Sequence, residues 1–258
     1  MKEKNEKFYP PRKTDALLVY GMRPVMEAME AGQELDKIYL HRDLKNEQVS
    51  QLKKMASERN IPVLQVPNEK MTRLTSKNHQ GVVAFMAVVE FASLDHILNG
   101  LFEDGKTPLI LILDRITDVR NFGAIARTAA CTGVHAIVIP AKETSQLGPD
   151  ALKTSAGALH HIPICREHNL KAVGDFLKKS GLQIVCCTEK GQDSLYTPNY
   201  LQPTAIVMGS EENGVSFELL RLADHEVRIP MTGPIQSLNV SVATGVVLYE
   251  VVRQQIQK

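Results

Sequence analysis

Apolar positions along this chain fall into two successive series, each alternating between strand-like and helix-like spacing. In the first series, residues 17–20, 37–40, 62–66 and 81–89 are short runs rich in branched and aromatic side chains, and they predict strands. Residues 24–31 predict a helix closed by Gly32. Residues 47–59 place Val49, Leu52 and Met55 at helical spacing with charges between them, and residues 69–74 predict a short helix. Such alternation predicts a small α/β domain. Residues 91–106 interrupt the pattern with the breaker pairs Asn99-Gly100 and Asp104-Gly105, and are assigned to a linker. The second series opens with the unbroken apolar run 109–113, as expected of a strand covered on both faces. A helix over 122–131 follows, with Gly133 just beyond its end. Strands are predicted over 136–139, 183–187, 205–208 and 226–229, and helices over 150–155, 170–179 and 217–222. Residues 237–257 are ambiguous: their valines favour strand, whereas their length and lack of turns favour helix.

The bulk properties add little to this picture. The chain has 258 residues, 43% hydrophobic and 23% charged, which suits a soluble globular protein of one large or two smaller domains. A net charge of +1 gives no global field toward nucleic acid. Lys2, Lys4, Lys7, Arg12 and Lys13 cluster near the start, where residues 1–14 read as a flexible, solvated tail. The first residues are polar and no apolar run approaches the roughly 20 residues of a membrane span. A cytoplasmic protein without a membrane partner is therefore expected. Cys131, Cys165, Cys186 and Cys187 form no C-x-x-C pair, and His160-His161 has no E-x-x-H partner, so no metal site is expected.

Three polar, glycine-containing clusters carry the candidate chemistry. They are Asp118 to Arg127, Met208 to Gly214, and the stretch from Ile229 through Ser237 and Asn239. Each adjoins a predicted strand, and a mostly parallel sheet binds ligands beyond the carboxyl ends of its strands. The clusters can therefore converge on one pocket. No G-x-G-x-x-G follows a strand, which weakens a nicotinamide oxidoreductase. Gly209 and Gly214 have P-loop spacing, but Val215 stands where the lysine belongs. No G-x-S-x-G surrounds Ser237 or Ser210, which disfavours a serine hydrolase. Plainer structural roles are open too: Arg127 in an ion pair with Asp114 or Glu211, Asn121 as a helix N-cap, Glu211 as a solvated charge, and Ser237 capping the last helix.

The clusters resemble the three motifs of the SpoU (TrmH-type) RNA ribose 2′-O-methyltransferases of the SPOUT superfamily. The first is matched by Asp114 through Arg127, with Asn121, Gly123 and Arg127 in place. The second is matched by Ile206-Val-Met-Gly-Ser-Glu-Glu-Asn-Gly214. The third is matched by Ile229-Pro-Met through Ser237-Leu-Asn-Val-Ser-Val-Ala243. Upstream, Val19-Tyr-Gly-Met-Arg-Pro-Val and His79-Gln-Gly-Val-Val resemble the family's small substrate-binding domain, which is similar to ribosomal protein L30e. The two-domain arrangement is most similar to the 23S rRNA guanosine 2′-O-methyltransferase group.

The resemblance implies an L30e-like RNA-binding α/β domain over 15–90 and a SPOUT methyltransferase domain over 107–258, with a parallel sheet and a trefoil knot. It implies S-adenosylmethionine as cofactor, a homodimer, and an RNA substrate, either 23S rRNA or a ribosome assembly intermediate. Arg127 would be the central catalytic residue, either as base for the ribose 2′-hydroxyl or as a cation holding the target phosphate and a nascent alkoxide. Asn121 and Asn239 would orient substrate and Arg127, Glu211 would pair with Arg127, and Ser237 would bind phosphate or ribose. Thr188, Met208, Gly209, Ile229 and Leu238 would hold the cofactor. Arg23, Lys70, Arg73 and Lys77 are the candidate RNA contacts. The alternatives are a tRNA ribose 2′-O-methyltransferase and a non-catalytic rRNA-binding protein.

Overall fold

The structure is a computed structural model and describes residues 18–257. The tail expected over residues 1–14 lies outside the described residues. The chain divides into two compact units, with the boundary between Ala87 and Val88.

The first unit contains β1 (Leu18–Tyr20), α1 (Met22–Glu30), β2 (Leu35–His41), α2 (Glu47–Glu58), β3 (Val63–Val66), α3 (Asn68–Leu74) and β4 (Val82–Met86). The strand order is β1-β4-β2-β3, with β4 antiparallel to both neighbours and β2 parallel to β3. Asn46 starts α2 by accepting a hydrogen bond from the Val49 amide at 2.9 Å. Alternation along the strands sends Val82, Ala84, Ile38 and Leu40 toward α1 and α2, where Val25, Met29, Leu52 and Ala56 close a buried core. Val83 points the other way, toward Met71 of α3. On that second side Val66, Met71, Val83 and Phe85 are buried, while Leu18, Tyr20, Tyr39, Leu64 and Leu74 stay partly exposed.

Residues 91–106, expected as a linker, hold α4 (Leu94–Glu103) instead. Leu94, Leu98 and Leu101 repeat at i, i+4 and i+7 and are buried in the second unit. Ser93 caps the helix, and Asp104-Gly105 ends it rather than marking a turn between domains. The remaining elements are β5 (Leu109–Asp114), α5 (Val119–Cys131), β6 (Ala136–Pro140), α6 (Pro149–Thr154), β7 (Ile164–Glu167), α7 (Leu170–Lys179), β8 (Gln183–Cys187), β9 (Asp193–Ser194), β10 (Thr204–Gly209), α8 (Phe217–Leu220), β11 (His225–Arg228) and α9 (Val240–Ile256). His160 lies in a 3-10 turn, Ala158–His160.

All seven strands of this sheet run parallel, in the order β7-β6-β5-β10-β8-β11-β9. Both faces are covered. On β5, Leu109, Leu111 and Leu113 join the core under α5, α6 and α9, while Ile110 and Ile112 join the core under α4, α7 and α8. The ambiguous C-terminal stretch is helical. Burial of Val247, Leu248 and Val251 in the core on the α5 side outweighs the strand preference of valine. The opposite side of α9 leaves Val242 51%, Tyr249 57% and Ile256 79% exposed, each seven residues from the next.

Candidate active site

Strand register brings the three polar clusters together. Gly209 at the end of β10 lies opposite Asp114 at the end of β5, and Met208 lies opposite Cys187 at the end of β8. Cys187 in turn pairs with Val227 of β11. Four adjacent strands therefore release their loops from one edge. A cavity of about 710 Å³ opens there, lined by the loops after β8, β10 and β11 and by the first turn of α9.

The loop after β10 is held by close contacts. A Cβ added to Gly209 would stand 2.1 Å from the carbonyl carbon of Gly214, so only glycine allows strand and loop to cross. The Gly214 amide donates to the Ser210 carbonyl at 2.9 Å, and the Asn213 amide donates to the Ser210 hydroxyl at 3.1 Å. Asp114, only 4% exposed, fastens the far end of the loop by accepting from the Ser216 amide at 2.6 Å. Arg115 donates to both carboxylate oxygens of Asp114, at 3.0 and 3.3 Å, and to the Gly214 carbonyl at 3.1 Å. Asp114 is thus paired with Arg115 and not with Arg127.

Residues from all three clusters meet in one hydrogen-bonded knot of side chains. Glu211 Oε1 accepts from Asn239 Nδ2 at 2.7 Å, from Asn121 Nδ2 at 3.3 Å and from the Val240 amide at 3.3 Å. Asn239 Nδ2 also donates to Asn121 Oδ1 at 3.0 Å. The two helix starts that present these amides are capped by other groups than expected. Asp118 caps α5, accepting from the amides of Arg120 and Asn121 at 2.8 Å each, so Asn121 is not the N-cap. Asn239 caps α9 through the Ser241 amide at 3.0 Å, so Ser237 is not its cap.

Arg127 stands apart from this group. It lies six residues beyond Asn121 on α5, about 120° round the helix by the 3.6-residue repeat, and is exposed. Among the described residues it makes no hydrogen bond or ion pair, so the expected pairing of Glu211 with Arg127 is replaced by the two asparagines. Ser237 and Glu211 line the cavity, as do Thr188, Met208, Gly209, Ile229 and Leu238. Arg23, Lys70, Arg73 and Lys77 belong to the first unit and are all exposed.

Lys190, in the loop from Thr188 that the resemblance also assigns to the cofactor, lines the cavity too. Sequence reasoning passed over Ser194 and Arg228, which also line it. Only their position at strands β9 and β11 could have marked them. The wall combines carboxylates (Glu189, Glu211, Glu212), two cations (Lys190, Arg228) and apolar surface from Met208, Ile229 and Leu238. It suits an organic ligand carrying both signs of charge. Burial pushes the Cys187 thiol up to about 11, so it contributes apolar surface at neutral pH rather than a thiolate. Among the described residues no group of three or more His, Cys, Asp or Glu is arranged to hold a metal, and no helix is long and apolar enough to cross a membrane.

Comparison with known proteins agrees with this geometry. Residues 108–249 match the family model described as the SpoU rRNA Methylase family, and residues 18–92 match that for RNA 2′-O ribose methyltransferase substrate binding. The Bacillus subtilis protein YacO, assigned to the TrmH family of tRNA/rRNA methyltransferases, is 33% identical over 237 residues, spanning 92% of this chain and 95% of YacO. The solved structure of the SpoU methyltransferase AviRb from Streptomyces viridochromogenes, in complex with AdoMet, superposes with a TM-score of 0.60 at 27% identity, covering 93% of this chain and 91% of AviRb. The TrmH/SpoU tRNA-modifying enzyme of A. aeolicus gives a TM-score of 0.54 at 32% identity, over 64% of this chain and 85% of that enzyme.

Proposed function

The chain belongs to the SpoU rRNA methylase family, and from that premise we propose that its target is a guanosine ribose of 23S rRNA. It is an RNA 2′-O-methyltransferase that uses S-adenosylmethionine. The observation that carries the site assignment is the meeting of Asn121, Glu211 and Asn239 beside a cavity of about 710 Å³. Cavities of roughly 300–1,000 Å³ hold ligands of the cofactor's size. The donor set also fits: Glu189, Glu211 and Glu212 oppose positive charge, Lys190 and Arg228 oppose a carboxylate, and the walls at Met208, Ile229 and Leu238 are apolar. The turn at Gly209, with no room for a side chain, presents backbone to the same space.

Bound cofactor supplies an electrophilic methyl group on a sulfonium. The chain's own residues must then bring a ribose 2′-hydroxyl into line with it. Asn121 and Asn239, fixed by Glu211 and by each other, are the positioning pair. Ser237 on the cavity wall holds phosphate or ribose. Arg127 holds the target phosphate and stabilises charge developing on the attacking oxygen, because a guanidinium surrenders its proton only at strongly alkaline pH.

Exposed Arg127 and the apolar stripe Val242, Tyr249 and Ile256 support a homodimer formed through α5 and α9. Those two helices are in contact, and large apolar side chains gain by being covered. In such a dimer Arg127 would complete the partner's site. The trefoil knot of the resemblance belongs to the same reading; its support is the place of β10, which follows β9 yet inserts between β5 and β8. The L30e-like first unit would hold RNA through Arg23, Lys70, Arg73 and Lys77, in a cytoplasmic protein.

Ribosomal RNA is favoured over tRNA because the chain carries the substrate-binding unit at 18–92, whereas the tRNA-modifying relative matches only 64% of it. Mass-spectrometric mapping of ribose methylation in cells with and without the protein tests this. Loss of one methylated guanosine in 23S rRNA is expected. Loss confined to tRNA would overturn the target. Calorimetric titration with S-adenosylmethionine separates the enzyme from a non-catalytic RNA binder, which would take up none.

A further inference from the structure

The two faces of the small sheet are unequal, and the open one carries aromatic rings under cations. Tyr20 and Tyr39 both lie in register with Val83, one on each side of β4. They share the face of Val83, whose cover is the seven-residue α3. Two strand spacings separate the rings, about 10 Å. Lys70 Nζ stands 5.2 Å from the Tyr39 ring centroid, and Lys77 Nζ stands 5.6 Å from that of Tyr20. Both tyrosines stay partly exposed, each with an exposed ammonium beside its ring. Tyr39 is braced edge-on by Phe85, with centroids 5.8 Å apart and planes at 72°. Arg73 is exposed on the same helix as Lys70.

We propose that Tyr20 and Tyr39 form a stacking platform for two unpaired, splayed bases of the RNA substrate, with Lys70, Lys77 and Arg73 holding the phosphates beside them. The inference rests on the RNA methyltransferase reading and adds to it the kind of RNA recognised. A base edge buried in a duplex offers no face to a tyrosine, whereas an unstacked base offers its whole π surface. Each lysine, freed from its ring by the arriving base, stays within reach of the backbone. The opposite face of the sheet cannot serve, since α1 and α2 bury it.

The test uses the full chain. Affinity is measured for a single-stranded RNA and for its duplex, with wild type, Tyr20→Leu/Tyr39→Leu and Tyr20→Phe/Tyr39→Phe. Leucine keeps apolar packing against Phe85 and removes the ring; phenylalanine keeps the ring. The leucine pair is expected to lose roughly 5- to 150-fold per ring in single-strand affinity, and the phenylalanine pair to bind like wild type. Cofactor affinity and kcat at saturating RNA should stay unchanged. Lys70→Ala and Lys77→Ala should each lower the salt slope of single-strand binding by about 0.7, whereas the tyrosine variants should leave it alone. Unchanged affinity in a folded leucine pair, or equal affinity of wild type for duplex and single strand, would overturn the platform. If wild type methylates RNA in the same assay, such a result leaves the enzymatic reading intact; if it methylates none, that reading fails first.

Discussion

The seven-stranded sheet is buried on both faces and concentrates its chemistry along one edge, whereas the four-stranded sheet is buried on one face and keeps the other half open. The difference follows from what each has to do. Methyl transfer needs reacting groups held within a fraction of an ångström, and loops anchored at the ends of strands such as β5 and β10 supply that. Gripping unpaired RNA, on the proposal above, needs surface that tolerates different bases, and partly exposed rings beside exposed lysines would supply that. Rigid scaffold and adaptable face are thus built into separate units of one chain.

The sharpest way to break this division is at Arg127. Replacement by alanine should lower kcat by about 10²- to 10³-fold while cofactor affinity and melting temperature hold, because the side chain is exposed and makes no hydrogen bond or ion pair among the described residues. Near-normal turnover in single-turnover assays would remove Arg127 from the chemistry. Next comes the clamp under the loop. Asp114→Ala should cost about 2–3 kcal/mol in urea unfolding, since it strands the Ser216 amide and the Arg115 guanidinium. It should also weaken cofactor binding. A loss below about 0.5 kcal/mol would show that the edge does not depend on its buried anchor. Asn239→Ala should cost about 1 kcal/mol through the lost α9 cap and loosen Glu211. Lys70→Ala, on the open face, should cost less than about 0.5 kcal/mol. Equal losses would blur the contrast between the units.

A last effect is alkaline. Burial pushes Cys165 and Cys186 up to about 12 and Cys187 up to about 11, from an ordinary 9.0. The folded state favours the neutral thiols, so their contribution is complete below pH 9.0 and declines as pH rises through 11 toward 12. All three lie in the larger sheet and the first unit has no cysteine. Urea midpoints should therefore begin to fall above pH 9.0 for the second unit, less steeply in Cys165→Ala, and for the first unit only above pH 10.0, where its partly buried Tyr39 hydroxyl, also pushed up by burial, starts to cost stability. At neutral pH a maleimide should label exposed Cys131 first.

Much of this was legible from residue order, though unevenly. The unbroken run at β5 announced a doubly covered strand, and Leu109 to Leu113 do divide between two cores. Helix α4 was hidden because glycine and asparagine read as breakers, while the Leu94, Leu98 and Leu101 repeat that overrides them acts only through a tertiary partner. Strand β7 escaped notice because Ile164-Cys-Arg-Glu167 ends in two charges, and β9 because two residues give pattern too little length to show. Within the site, the motifs named the residues but not their partners. Glu211 was assigned to Arg127 by charge, yet a helix turns too far between Asn121 and Arg127 for one carboxylate to meet both, and the amides took it. Asp118, whose type and place before α5 suit a cap, was available to sequence reasoning and went unused.

The tie among Asn121, Glu211 and Asn239 spans 118 residues of chain between its outer members. A ribosome making this protein therefore exposes the first asparagine long before the last is synthesised. Until α9 emerges and docks, Glu211 lacks two of its three donors. If the tie is the positioning pair proposed above, that pair is complete only once the last helix has been made and has docked.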